Sequence, residues 1–123
     1  KHLCLRLGVF PPWAAPMPPG VLEPGTLVAG RFEIGCEIGS GANSHVYRCR
    51  DQRHNDRLVA VKIEQALPNN RQLLKTEADV LRELRGSPGI PKIIAFVEGD
   101  KAAGGGLLAM ELLGDDVRKV SAL

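Results

Sequence analysis

The chain has 123 residues, room for one small domain and too few for a large multidomain enzyme. Its 16 Lys and Arg stand against 14 Asp and Glu, a net charge of +2, so composition carries no electrostatic footprint for nucleic acid or a membrane surface, and neither is expected as a partner. No apolar run approaches the roughly 20 residues of a spanning helix. Three cysteines without paired spacing, Cys4, Cys36 and Cys49, read as reduced thiols of an intracellular protein, cytoplasmic or nuclear. With His2, His45 and His54 they form no C-x-x-C or H-x(3-5)-H spacing, so no metal ligand is expected among them.

In chain order, six of the nine prolines fall in the first 24 residues, where they remove backbone donors and hold the chain extended. Residues 1–28 are therefore expected to form a disordered Pro-rich arm, and residues 29–123 the folded unit. The chain opens on Lys1 rather than Met, which reads as a fragment or processed product. From Arg31, the residues Phe32, Ile34, Cys36 and Ile38 alternate with Glu33, Gly35 and Glu37 at the period of a half-buried strand. "HVYRCR" supplies a second strand. After the polar turn "DQRHNDR", the short β-branched run "LVAVKI" supplies a third. "NNRQLLKTEADVLRELRG" is helical, opened by Asn69 or Asn70 and closed by Gly86 with Pro88 beyond. Its apolar positions are Leu74, Leu81 and Leu84, with Leu73 and Val80 beside them. "IPKIIAFVEG" and "LLAMELL" give two more strands across "DKAAGGG", whose glycines mark a mobile connection. The expected fold is α+β: a five-stranded antiparallel sheet with one helix between strands three and four.

Two residues sit where their chemistry is out of place. Glu77 lies three positions after Leu74 and four before Leu81, on the apolar stripe of the helix. A carboxylate turned toward a core needs a cation from a facing element. In "LVAVKI", Ala60 and Lys62 share one face while Val59, Val61 and Ile63 share the other, so Lys62 is a lone cation in an apolar strand. Pairing Lys62 with Glu77 satisfies both and holds the lysine where it can also meet an anionic ligand.

These residues bear on "EIGSGANSHVYRC", residues 37–49. Its glycines, Gly39 and Gly41, are followed by a strand and not by a helix, which excludes a Rossmann fingerprint; the absence of G-K-[ST] excludes a Walker loop. A glycine loop in a strand hairpin, then a V-A-x-K strand, then a helix with an inward Glu is the arrangement of protein kinases.

Residues 31–114 resemble the small lobe of a eukaryotic protein kinase through "IGSGANSHVY", "VAVKIE", "EADVLREL", "GIPKI" and "MELLG". The last two make the casein kinase 1 family of serine/threonine kinases the nearest resemblance. That resemblance implies ATP as cofactor and a protein substrate as partner. It gives Lys62 to the α- and β-phosphates and Glu77 to the ion pair that holds it. Gly39, Ser40, Gly41 and Ser44 would line the phosphate loop. Ile38, Val46 and Ala60 would cover adenine, with Met110 as gatekeeper and Glu111 and Leu113 as the hinge that hydrogen-bonds the base.

Some positions depart from the family. Asn43 replaces the usual aromatic at the loop tip and Ser44 the usual third glycine, so Ser44 loses easy access to positive φ. Asp116 falls near a ribose contact, while Lys119 stands where the family is acidic. No H-R-D catalytic loop or D-F-G motif occurs in the 123 residues. The ligands for Mg2+ therefore lie outside this chain, and the chain alone is expected to be inactive. A pseudokinase or nucleotide-binding scaffold is the alternative that the residues leave open.

Overall fold

The computed structural model describes residues 21–41, 44–65 and 73–112. The elements are β1 (Leu27–Val28), β2 (Phe32–Ser40), β3 (Ser44–Asp51), β4 (Arg57–Gln65), α1 (Leu73–Glu83), β5 (Ile93–Asp100) and β6 (Gly105–Glu111). All strand pairs are antiparallel, in one sheet of order β1-β2-β3-β4-β6-β5. The helix thus leaves from β4 and returns the chain to the far edge, and β6 then closes between β4 and β5.

The sheet has six strands where five were expected. The sixth is β1, whose two residues pair Leu27 with Glu33 and Val28 with Phe32; so short a segment shows no periodicity. It exists because Ala29 (φ 54°) and Gly30 (φ 62°) turn the chain back in a tight three-residue connection closed by the Arg31 amide donating to the Val28 carbonyl at 3.0 Å. Val28 is fully buried, Val21 and Leu22 pack on the same core, and the Leu22 amide donates to Tyr47 Oη at 2.9 Å. The described part of the segment expected as an arm, residues 21–28, is therefore anchored to the sheet.

Alternation along β4 divides the interior in two. Val59, Val61 and Ile63 join Phe32, Ile34, Tyr47, Cys49, Leu107 and Ala109 on one face. Ala60 turns the other way, to Val46, Leu108, Met110 and the helix residues Leu74, Ala78 and Leu81. Each fully buried Val, Leu, Ile or Phe contributes roughly 1.5–3 kcal/mol. The inward stripe of α1 is Leu74, Ala78 and Leu81, whereas Leu73, Val80 and Leu84 are exposed. The spacing of Leu84 places it inside, but the helix ends at Glu83 and Gly86, at φ 90°, turns the chain away. The expected caps Asn69 and Asn70 lie outside the described residues. The connection "DKAAGGG" is shorter than its composition implied, because Gly105 and Gly106 already pair with Gln65 and Glu64 in β6.

Cys49 is a free, buried thiol, and loss of solvent pushes it up to about 12. Cys36 is disulfide-bonded, which corrects the expectation of three reduced thiols; spacing in sequence does not limit pairing through space.

Candidate functional site

The helix-facing side of β4 carries the chemistry. Lys62 Nζ donates to Glu77 Oε1 at 2.8 Å, with 11% and 13% of the two side chains exposed. The pair expected from two misplaced charges is therefore present, linking the third long strand to the helix. It is incompletely satisfied: Glu77 Oε2 is buried and has no hydrogen-bond partner. A second pair of donors or an ionic ligand near Lys62 would find the lysine already oriented by its carboxylate.

The glycine segment is the β2–β3 hairpin. Gly39 stands opposite Val46 and Ser40 opposite His45, and the Gly41 amide donates to the Ser44 carbonyl at 2.9 Å. Ser44 is not among the residues with positive φ, so the hairpin needs no left-handed residue there, and serine is tolerated. A Cβ on Gly41 would lie 3.1 Å from Ser44 Oγ, so a larger residue there would make the Ser44 hydroxyl shift by a few tenths of an ångström. Two register shifts interrupt β2, between Ile34 and Glu37 and between Glu37 and Gly39. Irregularities of this kind bend a strand and re-aim the side chains beyond them. Asn43 and Asp116, singled out in the sequence, lie outside the described residues.

Ile38, Val46, Ala60 and Met110 come together in one apolar cluster with the helix, Ile38 half-buried and the other three buried. Ala60 and Met110 are direct neighbours in the β4–β6 register, and Val46 is the neighbour of Lys62 across β3–β4. An apolar surface thus runs into the ion pair. At the end of β6, Glu111 and Lys92 are doubly joined: the Glu111 amide donates to the Lys92 carbonyl at 2.9 Å, and the Lys92 amide donates to Glu111 Oε1 at 3.1 Å. Glu111 therefore has no free N–H to offer. Leu113 lies outside the described residues.

Two carboxylates escaped the sequence reading. Glu64, two residues after Lys62, is as buried as it, and its Oε2 accepts the backbone amide of Leu74 at 3.1 Å. Nothing distinguished it from the polar end of a strand. Asp51, read as the start of a solvated turn, is fully buried and accepts both Arg31 Nε at 2.8 Å and Nη2 at 2.9 Å, together with the Arg53 amide at 3.2 Å. The hydrogen bonds from Arg31 hold its carboxyl down at about 2, against the opposing effect of burial, and the guanidinium is raised in return.

Among the described residues, no three His, Cys, Asp or Glu cluster to hold a metal ion, and no helix is long and apolar enough to cross a membrane. No family model matches the chain. A Streptomyces coelicolor protein named "Probable kinase PglW" is 34% identical over 97 residues, which is 75% of this chain but only 6% of that protein. The crystal structure of a kinase domain superposes with a TM-score of 0.63 at 22% identity, covering 76% of this chain and 28% of its own. A six-stranded antiparallel sheet with one helix packed on it, superposing on part of that domain, is the fold of a kinase small lobe.

Proposed function

We propose that this chain is the ATP-binding small lobe of a serine/threonine protein kinase, similar to the casein kinase 1 family, with the lobe and hinge spanning residues 29–123 and a Pro-rich arm before it whose described end, residues 21–28, docks on the sheet. The observation that carries this reading is the ion pair of Lys62 and Glu77, 2.8 Å apart and continuous with an apolar cluster on the same face of β4. "GIPKI" and "MELLG" support the casein kinase 1 branch. Use of ATP supports a place inside the cell.

In this reading Lys62 meets the α- and β-phosphates, and Glu77 keeps its ammonium aimed at them. Gly39, Ser40, Gly41 and Ser44 bring the hairpin backbone over the phosphates, where side chains would obstruct. Ile38, Val46, Ala60 and Met110 give adenine flat apolar cover. Glu111 serves the base through its carbonyl, its amide being paired with Lys92, and Leu113 supplies the donor. Mg2+, which neutralises phosphate charge during transfer, finds no ligand set among the described residues, and neither does a catalytic base occur in a kinase-type motif. Transfer of the γ-phosphoryl to a protein hydroxyl thus depends on a large lobe beyond these residues.

The test is Lys62→Met in the protein that carries this lobe together with its large lobe. Phosphoryl transfer from MgATP falls by about a hundredfold or more, while circular dichroism and the urea midpoint show an intact fold. Unchanged transfer in the variant would assign the phosphate contact to another lysine. MgATP binding without transfer in the wild-type protein would favour the pseudokinase reading.

A further inference from the structure

The residues 60, 62 and 64 of β4 share one face, and each meets something different there. Ala60 meets the apolar cluster, Lys62 meets Glu77, and Glu64 accepts the Leu74 amide at 3.1 Å. Leu74 is the second described residue of α1, where backbone amides often take side-chain acceptors. The acceptor is a carboxylate, which the positive end of the helix also favours. It comes from the strand that bears Lys62, ten positions earlier in the chain.

Lys62 and Glu64 are separated by about 6.6 Å along the strand, two residues at ~3.3 Å each. Leu74 and Glu77 are separated by about 4.5 Å along the helix, three residues at 1.5 Å each, and lie on nearly the same side. Strand and helix are therefore joined by two adjacent rungs. Packing of Leu74, Ala78 and Leu81 seats the helix on the sheet, and two rungs restrict its rotation about the Lys62–Glu77 contact more than one would. Among the described residues, this is the one polar contact from β4 to the first turn of α1; without it, orientation of Glu77 would rest on apolar packing and the ion pair itself.

We propose that Glu64 is a positioning residue, which anchors the first turn of α1 to β4 so that Glu77 stays within reach of Lys62. This role rests on the reading of the lobe as nucleotide-binding. Glu64 does not touch the phosphates; it acts through Glu77. What matters is an acceptor of the right reach, more than its charge.

The experiment uses the intact protein with MgATP and compares the wild type with E64A, E64D and E64Q, each alone, and with E64A in an E77Q background. E64A lowers kcat/KM about tenfold and accelerates amide hydrogen exchange along α1. E64Q keeps the reach and stays within about threefold of wild type, whereas E64D, one methylene shorter, loses more than E64Q. In the E77Q background, E64A costs less than about twofold further, because the ion pair that it positions is already gone. Equal losses with and without E77Q, or E64D outperforming E64Q, overturn the proposal; the second comparison still decides it should E64A fail to fold. A wild type that does not use MgATP overturns the nucleotide reading itself, while turnover that E64A leaves unchanged overturns only the role of Glu64.

Discussion

Asp51 and Glu77 are both carboxylates withdrawn from water, one near each end of β4, and they are satisfied to different degrees. Asp51 receives two hydrogen bonds from Arg31 and one from the Arg53 amide, with His54 and Arg57 also near. Glu77 receives Lys62 on one oxygen and nothing on the other. A carboxylate whose lone pairs are filled ties segments together, here the turn after β1 to the turn after β3. A carboxylate left half-filled stabilises the fold less than its burial would suggest, and its charge stays available to orient a neighbouring cation. The difference separates a residue kept for architecture from one whose value lies in what it holds in place.

The largest effect expected from this contrast is at Asp51. Asp51→Ala leaves Arg31 without its carboxylate and destabilises the protein by about 3 kcal/mol, the lower end for a broken buried pair because Arg31 can still reach water. Urea denaturation measures it. Because Asp51 is held down at about 2 from an ordinary 3.8, its contribution is complete above about pH 4 and disappears as pH falls through about 2. Wild-type stability should drop across that window, and Asp51→Asn should flatten the drop; an equal slope in the variant would place the acid sensitivity elsewhere.

Gly35 tests whether the two regions are independent. A Cβ there would come within 2.5 Å of the Arg48 carbonyl at the irregular part of β2, so Gly35→Ala must move backbone and costs about 2 kcal/mol. MgATP affinity should change by less than about twofold once the protein is folded. A larger change would mean that the bulge transmits to the hairpin.

The smallest effect is the most discriminating. Replacing Lys62 and Glu77 together by Met and Leu removes the pair and its orphaned oxygen, and stability should stay within about 1 kcal/mol of wild type or rise. The corresponding exchange of Arg31 and Asp51 should lower it. Loss of more than about 2 kcal/mol on the first exchange would show that the Lys62 pair is architectural after all.

Much of this was legible in the sequence because period and chemistry disagreed in visible places. A lysine in a valine run and a glutamate on a leucine stripe each break a pattern, and one pairing resolves both. Glu64 breaks no pattern: at the polar end of a strand it looks like any surface charge, and only the return of the helix brings an amide to it. Asp51 was hidden in "DQRHNDR", where four charged or imidazole-bearing neighbours suggest a solvated turn. Leu27 and Val28 were missed because two residues have no period, and Gly105 and Gly106 because glycine usually marks a loop although the ladder accepted it here. Local pattern reports which face a residue takes; it cannot report which distant backbone group will arrive there.

The sheet order also determines how a mechanical load would travel. A pull on the chain ahead of Val21 would enter through the Leu22–Tyr47 hydrogen bond and the two-residue β1 ladder. Through β1 it would reach β4 only after crossing β2 and β3, about 14 Å at ~4.8 Å per strand, whereas Tyr47 passes it to β3, one strand from β4. The weak edge would yield first. Anything tethered at that end would therefore strain the short β1 ladder and the Tyr47 bond before the strand that carries Lys62.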